Sequence, residues 1–157
     1  MSRARTDSMA FLRSAALVFV VAVVVNYVWE LAETPLYAGM TRRGEMWRHC
    51  FVASLGDGVL VLIILAMGWA VFERPRWFRS PGTPGYVLMF AAGAAIAVVV
   101  EWIALDVLER WSYTNLMPRL PGLGVGLSPV AQMSLLPPLI FRVVTALEAK
   151  MIQGETR

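Results

Sequence analysis

Residues 11–31 read FLRSAALVFVVAVVVNYVWEL, an apolar run that ends on an asparagine and a glutamate. At about 1.5 Å of rise per residue, roughly 20 mostly apolar residues carry a helix across the hydrocarbon core of a bilayer. Residues 50–72, 86–108 and 128–147 meet the same criterion. The last is the weakest, because Pro137 and Pro138 lie inside it and Arg142 follows. Neighbouring helices can satisfy the backbone groups that proline frees, usually with a kink. The expectation is an all-α integral membrane bundle of four transmembrane helices, a single domain over residues 1–157.

Composition leads to the same class. The chain is 58% hydrophobic and only 16% charged, with a mean hydropathy of +0.62. Soluble domains hold about 45–50% apolar residues and about a quarter charged. A chain of 157 residues cannot hide this excess in one aqueous core. The net charge of +3 is spread between apolar segments, with no basic face of interleaved aromatics, which argues against nucleic acid as a partner. Cys50 stands alone, so an intrachain disulfide and a CxxC redox or zinc site are excluded. Arg3, Arg5 and Arg13 precede the first span as in a signal peptide, but no small-x-small cleavage site follows, so an uncleaved helix is expected.

Topology follows from the cations. Arg3, Arg5, Arg13, Arg74, Arg76, Arg79, Arg142, Lys150 and Arg157 fall on the side of the two termini, against Arg42, Arg43, Arg48, Arg110 and Arg119 opposite. That balance places both termini in the cytoplasm of a cell (inner or plasma) membrane. Residues 22–26 (AVVVN) and 97–101 (AVVVE) are alike, and each precedes Trp, acidic residues and a Tyr-containing loop, which suggests a duplicated two-helix hairpin. Residues 109–127, rich in glycine and aromatics, suit a loop that packs back over the bundle mouth.

The polar residues inside the spans carry the functional signal. Charges in hydrocarbon are costly and face a bundle interior or a cavity. Asn26, Glu30 and Glu33 share one helix face by their spacing, and so do Cys50, Ser54 and Asp57. Glu101 lies in the third span and Gln132 near the start of the fourth. Asp57 and Glu101 both fall roughly 10 Å from the extracytoplasmic ends of their spans, so all four helices feed one polar layer. Such residues can serve as interhelical glue. Two acids at one depth without a basic partner make poor cement, however, and a retained proton suits a general acid or a proton carrier. His49 caps the second span or relays protons to these acids. No HxxxH or ExxH pair is present, so no metal and no cofactor are expected. Trp29, Trp47, Trp102, Trp111, Tyr27, Tyr37 and Tyr113 gather near the extracytoplasmic boundary, as an aromatic belt or as the lining of a greasy or cationic substrate site.

Asn26-x-x-Trp29-Glu30 resembles a motif of the small integral-membrane terpene cyclases of the fungal meroterpenoid type. The resemblance covers five residues and implies that Glu30 donates a proton to an isoprenoid while Asn26 helps hold it. That family has more spans, and its second acidic motif has no aligned counterpart here.

The residues support three functions. In the first, an enzyme does acid–base chemistry (cyclisation or isomerisation) on an isoprenoid or lipid. Glu30, Asp57 and Glu101 would be catalytic, and Asn26, Trp29, His49, Ser54, Trp102, Tyr113 and Gln132 would bind substrate. In the second, an oligomeric transporter or channel binds a proton or cation at Asp57 and Glu101. In the third, a non-catalytic assembly or accessory subunit offers Gly56, Gly58 or the small-residue run around Gly93 to a partner membrane subunit or a second copy.

Overall fold

The computed structural model describes residues 2–39 and 43–155; of the arginines counted for topology, the side chains of Arg3, Arg5, Arg42, Arg43 and Arg157 lie outside the described part. Four helices are long and apolar enough to cross a membrane. They are α1 (Ser2–Glu33), α2 (Arg43–Phe72), α3 (Gly82–Trp102) and α4 (Leu127–Glu155). Three of the four sequence-derived spans fall within one of these helices, the third (residues 86–108) runs past α3 into the π turn that follows it, and the described residues hold isolated bridges but no strand. The helices run beyond the apolar stretches wherever no breaker intervenes. Thus α1 continues to Glu33 and stops only at the turn containing Pro35. Val20, Val24 and Val28 form an i, i+4, i+8 stripe on α1, each more than half exposed. An apolar exterior of this kind belongs to a protein that meets lipid or a partner. The architecture is an all-helical bundle of four helices, each long and apolar enough to cross a membrane.

Helix α1 packs against α2 and α4, and α3 packs mainly against α4, leaving α1 and α3 on a diagonal. Each helix buries one seam. On α1 the seam is Ser14, Val18, Ala22, Asn26 and Glu33, apolar in the middle and polar at both ends. On α2 it runs from Cys50 and Ser54 to Val61, Ile64 and Leu65. The half of the bundle near the chain termini (the terminal end) therefore has an apolar core closed by Ser14 at its edge, and the other buried polar seam residues collect in the opposite half (the far end). Ala22 and Ala97, and Asn26 and Glu101, the matched positions of the two similar segments, are buried on the two diagonal helices.

Three close fits hold this packing. Gly58 lies against Phe19 and Val23 of α1. Gly93 lies so close to α4 that a Cβ there would come within 1.8 Å of the Met133 carbonyl oxygen. That carbonyl is the one whose i+4 partner is Pro137, which has no N–H to give it. Helix α4 accordingly passes through Pro137 and Pro138 without interruption, and α3 covers the freed group. At the terminal end Trp77 inserts into the bundle, its indole N–H donating to the Leu65 carbonyl at 2.9 Å. Gly68 makes room for that ring, since a Cβ would meet it at 2.0 Å. Gly58 and Gly93, expected as faces for a partner helix, are thus spent within the chain, whereas Gly56 has open space around it.

The loop of residues 109–127 folds over the far end. Tyr37 bridges to Tyr113, the Ala38 N–H donates to the Ser112 carbonyl at 2.8 Å, and the Thr114 N–H donates to the Leu36 carbonyl at 2.9 Å. It leaves α3 through a π turn (Ile103–Val107), directly after Glu101 and Trp102. Glu109 at φ 47° then ends the helical path.

Candidate active site

Gln132, buried in the first turns of α4, is the hub of the far-end polar layer. Its amide nitrogen donates to Asn26 Oδ1 at 2.9 Å, to Asp57 Oδ2 at 3.1 Å and to Glu30 Oε1 at 3.4 Å. Helices α1 and α2 therefore converge on one side chain of α4. Only the amide nitrogen can face three acceptors, which fixes the orientation of the group. Asn26 is oriented in turn by its own amide, which donates to the Ala22 carbonyl at 2.8 Å. The carboxyl groups of Glu30 and Asp57 meet at the Gln132 amide nitrogen, from which both accept.

Two further carboxyls flank the hub. Glu33, only 4% exposed, accepts from the Ser128 hydroxyl at 2.6 Å and from the Trp29 indole at 3.1 Å. Glu101 accepts from the Tyr113 hydroxyl, and from the Trp111 indole at 3.4 Å. Tyr113 is pinned from behind by the Gly126 N–H, which donates to its oxygen at 2.8 Å. Burial pushes the Tyr113 phenol above its ordinary range, and its bond to Glu101 adds to this, so it remains a donor. Tyr37, packed 5.5 Å from the Tyr113 ring, is raised likewise, by burial and then by the charge of Glu33. Glu30, Glu33, Asp57 and Glu101 lie close enough to feel one another's charge, and among the described residues no Lys or Arg is a direct partner of theirs. Every buried side-chain nitrogen and oxygen among the described residues has a partner.

The expected site residues thus divide. Asn26, Glu30, Asp57 and Gln132 come together as one network. Glu101 and Tyr113 form a second contact beside it. The close acidic pair is Glu30 with Asp57, not Asp57 with Glu101, because α3 packs mainly on α4 and Glu101 is engaged from the loop side by Tyr113 and Trp111. Ser54 is buried but spends its hydroxyl on its own helix, donating to the Cys50 carbonyl at 2.7 Å. His49 is exposed, and Trp102 is 51% exposed, facing outward and not toward the carboxyls. The aromatic residues do not form one belt. Tyr27 packs with Trp47 at 6.4 Å and Phe51 at 6.1 Å on the outer surface, whereas Tyr37, Trp111 and Tyr113 build the cap over Glu101.

Sequence spacing places Glu33 on the face of Asn26 and Glu30, and Trp111 among the aromatics near the extracytoplasmic boundary, though neither is counted there as a site residue. Ser128, in the first turn of α4, was not expected, because nothing local to it signals that it meets Glu33. Among the described residues no group of three His, Cys, Asp or Glu side chains is arranged to hold a metal ion.

At the level of the hub, on the outer side of α1, an apolar groove of about 380 Å3 opens between α1 and α4, lined by Val24, Val25, Val28, Trp29, Ala32 and Leu136 but by none of the hub residues. Trp29 is both a wall of this groove and the indole that holds Glu33. No family model, curated protein or solved structure matches the chain.

Proposed function

We propose that this chain is a multi-pass enzyme of the cell membrane, with both termini cytoplasmic, whose extracytoplasmic half does acid–base chemistry on an isoprenoid or lipid. The observation that carries the reading is the meeting of the Glu30 and Asp57 carboxyls at the Gln132 amide nitrogen, with no Lys or Arg among their partners in the described residues. A proton carried by this pair sits in a buried site from which competing water is excluded, the setting that proton transfer to an alkene requires. The resemblance around Asn26, Trp29 and Glu30 agrees with Glu30 as the donor.

In this scheme the substrate enters sideways from the bilayer, its apolar body lying in the groove between α1 and α4. Glu30 gives its proton to a carbon–carbon double bond, and the adjacent carbon becomes a cation. Asp57 and Gln132 hold the resulting Glu30 carboxylate in place. Indole rings such as Trp29 suit a passing carbocation. Loss of a neighbouring C–H proton to Glu33 or Glu101 restores a double bond, so that isomerisation or cyclisation balances in atoms and charge. The similar segments of α1 and α3 fit a duplicated hairpin whose two halves have taken different roles.

The transport reading lacks comparable support. Toward the terminal end the core is Ile64, Leu65, Trp77, Phe78 and Phe141, all at most 2% exposed, and no described polar side chain continues a route from Asp57 until Ser14.

The test is solvent-label uptake. Purified protein is incubated in deuterium oxide with the polyprenyl and lipid extract of its expression host, and products are read by mass spectrometry. Wild type should place deuterium at carbon in one lipid class, and Glu30→Gln should abolish this. Absence of uptake by wild type, or uptake undiminished in both Glu30→Gln and Asp57→Asn, overturns the proposal.

A further inference from the structure

The terminal end carries a second cavity, of about 490 Å3, that has no part in the chemistry above. Three of its lining residues are arginines: Arg13 on α1, and Arg76 and Arg79 on the loop between α2 and α3. Glu148 of α4 is the acid in this lining. It is already engaged, accepting from the Ser14 hydroxyl and from Arg79, whose Nε and terminal nitrogen approach at 2.9 and 2.8 Å. Arg13 and Arg76 form no ion pair with another described residue. The mouth is therefore doubly positive after the Glu148–Arg79 pair is set aside. The rest of the lining, including Leu17, Val20 and Met151, is apolar.

We infer that this cavity binds one anionic phospholipid, its phosphate between Arg13 and Arg76 and an acyl chain along Leu17 and Val20. The inference rests on the chain spanning a membrane and not on the acid site or its chemistry. Three features select this occupant. The cations lie where the first span begins, since Arg13 is four residues into it and Arg76 lies in the connecting loop. From Arg13 to Val20 the trough descends roughly 10 Å along α1, which remains within one leaflet of a core about 30 Å thick. Basic pockets between transmembrane helices on the cytoplasmic side attract anionic head groups, and the apolar floor requires a tail that free phosphate does not have. The Ser14–Glu148–Arg79 cluster ties α1, the loop and α4 together, so the pocket is built from three separate elements. Arg79 is thereby held as a fixed wall, and Arg13 and Arg76 are left to meet the ligand.

Native mass spectrometry of the full chain released from nanodiscs tests this, with phosphatidylglycerol and phosphatidylcholine as the probe lipids. Wild type should retain phosphatidylglycerol at one-to-one stoichiometry in preference to phosphatidylcholine. The double change Arg13→Gln with Arg76→Gln should weaken retention roughly tenfold or more, and Arg110→Gln, at the opposite end, should leave it unchanged. Val20→Trp fills the trough while leaving every charge in place, and should also release the lipid; it keeps the test decisive if the arginine variant does not fold. Equal retention of the two lipids by wild type overturns the inference. So does retention unaltered by Val20→Trp, or an Arg110→Gln loss as large as that of the double variant.

Discussion

Replacing Gln132 by Leu removes the donor on which α1 and α2 converge, and the structure sets the size of the effect. The three acceptors lie at 2.9, 3.1 and 3.4 Å. An amide has two hydrogens, so at most two full bonds are lost. Side-chain hydrogen bonds between membrane helices average about 0.6 kcal/mol and reach about 1.7. Asn26 Oδ1, on a residue with no exposure, is left without a donor after the change. A stranded buried acceptor costs about 1–3 kcal/mol. Two average bonds plus the low end of that penalty give about 2 kcal/mol, a rise of roughly 30-fold in the unfolding constant. Reversible unfolding in mixed micelles, followed by circular dichroism, measures it. A double-mutant cycle with Asn26→Leu should return a coupling of about 0.6–1.7 kcal/mol, and a cycle of Gln132→Leu with Ser54→Ala should return none. A Gln132→Leu loss below about 0.5 kcal/mol, or zero coupling to Asn26, would mean that the network does not hold the helices.

Other consequences can be measured separately. Gly93→Ala sets a methyl group against the Met133 carbonyl and should destabilise by about 3 kcal/mol or more, at the upper end for overpacking, because backbone must move; thermal unfolding in micelles reads this. Tyr113→Phe removes the donor to Glu101 and the acceptor of the Gly126 N–H, so amide exchange over residues 109–127 should accelerate roughly tenfold while the helix interiors stay protected. For orientation, Glu109→Cys in intact cells should react with an impermeant maleimide and Glu73→Cys should not, with native Cys50, 1% exposed, silent in both; the reverse pattern would invert the topology.

The fold was legible because it rests on composition and period. Four apolar runs of sufficient length define four helices whatever their neighbours, and the i, i+4, i+7 spacing of Asn26, Glu30 and Glu33 is a property of the helix itself. The expected weakness of the last span had the right cause and the wrong extent. Proline frees a carbonyl within the helix, but whether the helix survives depends on what lies against that carbonyl, and Gly93 is 40 residues away in sequence.

Matching depth along the spans was enough to place Asn26, Glu30, Asp57, Glu101 and Gln132 in one half of the bundle, since rise per residue is a local quantity. Which acid meets which is a question of rotation and neighbour order. With α1 and α3 on a diagonal, Asp57 meets Glu30 and Glu101 is taken by Tyr113. The sequence by itself determined the number of helices, their seams and the level of the polar layer, all consequences of short-range backbone geometry and of the cost of charge in an apolar medium. Only the tertiary structure decided the partners, because Trp111 and Tyr113 reach Glu101 through a loop whose course is set by long-range contacts with residues 35–38, and Ser128 reaches Glu33 through the packing of α4 on α1, neither of which a local pattern encodes.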